Sequence, residues 1–197
     1  MNTTQTKGFT LIELLIVIAI IAILATAVVL LLNPAELLRQ ARDSQRISDL
    51  GTLKSAIAFY QSTSGAAIGG AAGTCYFYNP AAAPIVPAAN CAARHVGRAN
   101  VVGNTTLATD GTGWVPVNFN STPGGSPLSV LPKDPRNTLT GGNFFYSYAT
   151  DGSSLFEMNA EMESARYSNA GSDDVESNDG GTLPNVREVG NVTGLSF

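Results

Sequence analysis

The first residue placed where it could do chemistry is a carboxylate inside an apolar run. From Phe9 to Leu32 the chain reads FTLIELLIVIAIIAILATAVVLLL, and Glu13 is its only charge. A charge at the centre of a bilayer costs on the order of 3 kcal/mol, and less near a helix end. Such a group is retained when it gains a partner. A second candidate lies in the acidic stretch Asp173 to Gly181. There Asp174, Glu176 and Asn178 alternate as calcium-loop ligands do, but glycine arrives one residue late and no glutamate follows at the EF-hand distance. A third is the pair Cys75 and Cys91. The 2 Cys and 1 His in the whole chain speak against a metalloenzyme built on His and Cys clusters and against catalysis by a Cys–His pair. No Walker loop, dinucleotide fingerprint or nucleophile elbow occurs. His95, close to Arg94 and Arg98, reads as a surface residue.

The elements that must position these residues follow from composition and periodicity. The 197 residues suit one folded unit. A formal net charge of −4 gives no reason to expect nucleic-acid binding. Residues 1–8, MNTTQTKG, are short and polar, with Lys7 as their one charged side chain. Residues 9–32 would span about 36 Å as a helix, against a bilayer core of about 30 Å. The run is longer than a signal-peptide core, and no small-x-small cleavage site ends it. Asn33-Pro34 interrupts it, because proline removes a helical hydrogen bond. Residues 33–62 continue as an amphipathic helix, with Leu50, Leu53, Ile57 and Tyr60 forming one apolar stripe. Pairs Arg39/Asp43 and Arg46/Asp49 are spaced for contact along a solvated face.

Residues 63–197 read as the folded body. Residues 62–74 are small and end the helix, and 75–113 read as an irregular Ala-, Pro- and Gly-rich loop. Trp114 to Phe119 reads as an edge strand, because Pro116 lies within it. Phe144–Ala149 and Ser154–Met158 flank Asp151-Gly152 as a hairpin, and Val186–Val189 could supply a last strand. The fold class is α+β: one long N-terminal helix, half transmembrane and half amphipathic, packed on a small antiparallel sheet.

The segment Lys7-Gly8-Phe9-Thr10-Leu11-Ile12-Glu13-Leu14-Leu15 resembles the processing site of type IV prepilins and of type II secretion pseudopilins. The resemblance implies the pilin fold. It also implies that a membrane-embedded prepilin peptidase cuts between Gly8 and Phe9 and that the new amine of Phe9 is methylated. Glycine lets a protease approach the scissile backbone closely, and Lys7 holds the leader at the cytoplasmic face. For Glu13 the resemblance supplies the missing partner, the Phe9 amine of a neighbouring subunit. Arg39, Arg42 and Arg46 after the run oppose this orientation when basic residues alone are counted. The specific motif, with Glu36, Asp43 and Asp49 beside those arginines, favours an exported body. With lower specificity, Leu131–Pro135, Phe144–Tyr148 and Leu155–Met158 look like the sheet of small pilins and major pseudopilins.

Export brings the cysteines into an oxidising compartment, so Cys75 and Cys91 are expected to be joined, at about 3 kcal/mol for a loop of that size. Major pseudopilins carry calcium in a C-terminal loop, which is the alternative to a solvated acidic loop at Asp174, Glu176 and Asn178; no other cofactor is expected. The implied function is structural rather than enzymatic: a subunit of a type IV pilus-like extracellular filament serving adhesion, motility or DNA uptake. The alternative is a major pseudopilin of a type II secretion system. The implied partners are copies of the chain, prepilin peptidase and the inner-membrane assembly machinery. The implied location is the inner membrane by a single pass before assembly, and the cell surface afterwards.

Overall fold

The computed structural model describes residues 8–65, 67–80, 89–139, 143–192 and 194. Two compact units emerge, Met1–Leu38 and Arg39–Phe197. In the first, helix α1 spans Leu11–Leu32. Thr10 is its N-cap, and Asn33 closes it in the left-handed conformation at φ 41°. Asparagine tolerates that geometry better than most residues. Helix α2, Pro34–Ser64, then begins with proline at its first position, where the missing N–H costs no hydrogen bond.

The body is a five-stranded sheet with α2 packed on one face. Its strands are β1 (Thr74–Tyr78), β2 (Asn100–Asn104), β3 (Ser147–Thr150), β4 (Phe156–Ala160) and β5 (Arg187–Gly190), in the order β2-β1-β3-β4-β5. The apolar stripe of α2 buries Leu50, Leu53, Ile57 and Tyr60 against Trp114, Val117, Phe119, Tyr146, Tyr148, Phe156 and Met158. Trp114, the largest buried side chain, donates its indole N–H to the Pro132 carbonyl at 2.9 Å. Alternation puts Cys75, Phe77 and Ala149 on the opposite face, where they cluster with Cys91 and Phe145.

Three expectations change here. The sheet is mixed, because β2 runs parallel to β1 while the other pairs are antiparallel. Both strands come from the stretch read as irregular. Phe77 and Cys75 bury one side of β1, but the flanking Gly, Ala and Pro hid the alternation. Trp114–Phe119 forms no strand. It enters the core as coil and ends in a 3-10 turn at Phe119–Ser121, with one isolated bridge from Asn118 to Asp110. The hairpin is present with a wider loop than expected, since Thr150 pairs with Phe156. Asp151 Oδ1 organises that loop by accepting from the amides of Ser153 at 2.8 Å and Leu155 at 3.0 Å.

The charges on α2 are not a solvated face either. Arg46 is fully buried and bonds Asp43 rather than Asp49: Nη1 donates to Asp43 at 2.7 Å, Nε to Asp134 at 2.6 Å, and Nη2 lies 2.6 Å from Glu163. Arg42 forks onto Glu163 at 2.9 and 2.7 Å. Asp43 also accepts from the backbone amides of Glu163 and Ser164, and Asp134 from those of Arg136 and Asn137. Asp49 instead accepts from the Tyr146 hydroxyl at 2.8 Å. Burial would lower the Arg46 pKa, but the bonds from three carboxylates outweigh it and raise it. Likewise burial would raise Glu163, yet Arg42 and Arg46 hold it at about 2.

Candidate functional site

The N-terminal segment presents its predicted site residues openly. Gly8 and Phe9 are exposed, and a Cβ built on Gly8 would meet no atom within 4 Å. Both residues that flank the Gly8–Phe9 bond are thus open to solvent. Lys7 lies outside the described residues. The next residues form a capping box. Glu13 N–H donates to Thr10 Oγ1 at 3.3 Å, while the Glu13 carboxylate accepts from Thr10 N–H at 2.9 Å and Thr10 O–H at 2.7 Å. Two helix-end donors are satisfied this way, and the negative charge sits at the positive end of the helix dipole. Beyond it, Leu11–Val29 is long and apolar enough to cross a membrane, and none of that window is buried. Thr26 is its one hydrogen-bonding hydroxyl after the cap, and it donates back to the Ala22 carbonyl at 2.9 Å.

This order of parts, an open Gly–Phe bond, a capped glutamate and an unbroken apolar helix, coincides with a family match. Residues 4–29 match the family described as the prokaryotic N-terminal methylation motif. The chain carries the prepilin-type cleavage and methylation signature of type IV pilins and pseudopilins. That signature implies processing by prepilin peptidase and assembly into pilus-like filaments, and with the apolar helix it fits a pilin anchored in the membrane before assembly. The α+β body agrees with the pilin fold. Comparison with curated proteins and with solved structures finds no match.

In the body of this pilin-like chain, Cys75 and Cys91 form a disulfide, as expected, with both residues fully buried. Cys91 lies in the one-turn helix α3, Ala89–Ala93. Its last three residues, Cys91, Ala92 and Ala93, are left-handed at φ 53°, 61° and 64°, which costs about 1–2 kcal/mol per residue for side chains other than glycine. The bond ties this turn to β1.

The acidic loop uses its oxygens locally. Asp174 accepts from the amides of Ala170, Glu176 and Ser177 and from the Ser177 hydroxyl at 2.5 Å, and the Ser177 hydroxyl and amide bonds hold its carboxyl down at about 2. Glu176 is buried and accepts from Met162 and Asn169 amides at 2.7 and 2.9 Å; burial pushes its pKa up. Asn178 donates to the Asp174 carbonyl at 3.3 Å. Among the described residues, no three His, Cys, Asp or Glu side chains converge as a metal site.

His95 is the clearest correction at a named residue: it is buried, not on the surface. Its Nε2 lies 3.0 Å from Ser147 Oγ and its Nδ1 3.4 Å from Glu157 Oε1. Serine, histidine and carboxylate in that order suggest a nucleophile, a base and an orienting acid. Ser147 has no exposed surface, so no substrate can approach its oxygen in this fold. The arrangement is a buried polar network that local spacing could not reveal, because His95 meets the β3–β4 hairpin from about fifty residues away in the chain.

Proposed function

We propose that this chain is a structural subunit of a type IV pilus-like extracellular filament, polymerised through α1. The observation that carries this reading is Glu13, the single carboxylate at the head of an exposed apolar helix, immediately after an open Gly8–Phe9 bond. Cleavage there would leave Phe9 as the first residue, with its amine methylated. In the membrane the Thr10 hydroxyl and amide compensate Glu13. On assembly, lipid around α1 is exchanged for neighbouring helices, and hydrophobicity alone gives little preference for one axial offset over another. Pairing of Glu13 with the Phe9 amine of an adjacent subunit would supply that preference in a low-dielectric setting. A secretion pseudopilus would use the same processing chemistry. The pilus is favoured by the Cys75–Cys91 bond, which secures the middle of a body that would face the exterior. N-terminal mass analysis of purified filaments tests the reading: the expected product begins at methylated Phe9, and a mature chain beginning elsewhere refutes it.

A further inference from the structure

On the face of the sheet opposite α2, the stretch from Cys91 to Arg98 places three basic residues in the protein interior. Arg94, His95 and Arg98 are each at most 3% exposed. Their seat is specific. Arg94 donates to the Phe145 carbonyl at 2.5 Å and to the Asn143 carbonyl, approaches Glu161 at 3.3 Å, and lies 4.0 Å over the Phe145 ring. Asn159 on β4 donates to the Arg94 carbonyl at 2.9 Å. His95 sits between Ser147 on β3 and Glu157 on β4. At its N-terminal end the stretch is anchored by the left-handed turn and the disulfide.

We propose that this stretch is an acid-released clasp: protonation of His95 unseats residues 94–98 from the sheet, while the Cys75–Cys91 bond keeps them tethered. The charge balance supports it. Arg94 has Glu161 near it, and Arg98 feels Glu157 and Asp151. Around His95 the groups are Ser147 and Glu157 from the sheet and Arg94 and Arg98 from its own stretch, with the buried Glu188 of β5 lining the same cavity as Arg94 and Glu157, so a proton on the imidazole must be held beside two arginines in a site closed to water. Burial, the largest effect, lowers the His95 pKa; Glu157 opposes it and the two arginines reinforce it. The closed clasp therefore prefers the neutral ring and the open one takes up a proton more readily, so the open population grows as pH falls below the ordinary histidine value. Once open, Arg94 and Arg98 become a basic loop on an acidic protein. The disulfide fixes where it can reach.

Amide hydrogen exchange on the full chain in detergent micelles tests this at pH 7.5, 6.5 and 5.5, with rates corrected for intrinsic chemistry and the disulfide confirmed by non-reducing mass analysis. The amides of residues 94–98 are expected to open up to tenfold more per pH unit below about 6.5, while those of Leu50–Ile57 in α2 hold steady. His95→Gln, which keeps a hydrogen-bonding side chain without the titration, should flatten the dependence. An equal pH slope in His95→Gln overturns the proposal. So does a slope in wild type that α2 shares, a comparison that needs no variant to fold.

Discussion

Arg46 and Glu13 are both ionised side chains on the long N-terminal helical stretch, and they are neutralised in opposite ways. Arg46 is buried and surrounded: Asp43, Asp134 and Glu163 contact it within 2.9 Å, and two of those carboxylates also cap backbone amides elsewhere. Its partners all belong to its own chain. Glu13 is exposed, and its described partner is Thr10, three residues away. The first arrangement closes a fold, since removing any member strands the others in a low-dielectric interior. The second leaves a carboxylate whose compensation is local and exchangeable, as a group awaiting an intermolecular partner should be. A buried charge with three internal partners closes the body, whereas an exposed charge held by one near neighbour suits the assembly role proposed for Glu13.

The largest effect should come from breaking the Glu13 side. A strain holding only Glu13→Val is expected to cleave the leader normally and to accumulate processed subunit in the membrane, with few filaments. Shearing and electron microscopy would read this, and a normal filament yield would remove Glu13 as the register device. On the other side, Arg46→Met should destabilise the body by about 3–5 kcal/mol, because three carboxylates lose their buried counter-ion. Denaturant unfolding measures it, and a loss below about 1 kcal/mol would show that water or Arg42 and Arg136 compensate. This variant should not affect leader cleavage.

Opening the disulfide sharpens the comparison from a third direction. Cys75→Ser with Cys91→Ser should cost about 3 kcal/mol and expose residues 91–98 to protease, leaving the Arg46 cluster intact. Acid should also weaken the Arg46 side. Glu163 titrates at about 2 in the folded chain instead of its usual 4.5. Its folded value is depressed, so its contribution is complete above about pH 4.5 and is lost as pH falls toward about 2. Stability measured over that window should drop in wild type and drop less in Glu163→Gln, whose starting stability is already lower. The smallest effect is expected from Tyr146→Phe, about 1–2 kcal/mol for one hydrogen bond to the partly buried Asp49.

How much could be read in advance differs sharply between the two units. Phe9–Leu32, Glu13 and the Gly8–Phe9 bond need only local spacing, because a membrane segment must satisfy its own backbone and declares itself by continuous apolarity. The stripe Leu50, Leu53, Ile57, Tyr60 was legible for the same reason: a helix face is written in consecutive residues. The partner of Arg46 was not. Asp49 and Asp43 are equally close in sequence, and the choice between them depends on Asp134 and Glu163, which reach it from distant loops. His95 was misread for the same cause. An isolated histidine between arginines looks solvated until Ser147 and Glu157 are brought beneath it.

The sequence by itself determined the apolar helix, the cleavage and methylation signature, the amphipathic helix and the availability of two cysteines for an oxidised pair, because each depends on the identity and spacing of near neighbours. Only the tertiary structure decided that β2 joins the sheet in parallel, that Trp114–Phe119 fills the core without forming a strand, that the α2 charges turn inward, and that Arg94, His95 and Arg98 lie beneath the surface. Those outcomes depend on which distant groups can satisfy a buried polar atom. That requirement acts only once the chain has closed around it.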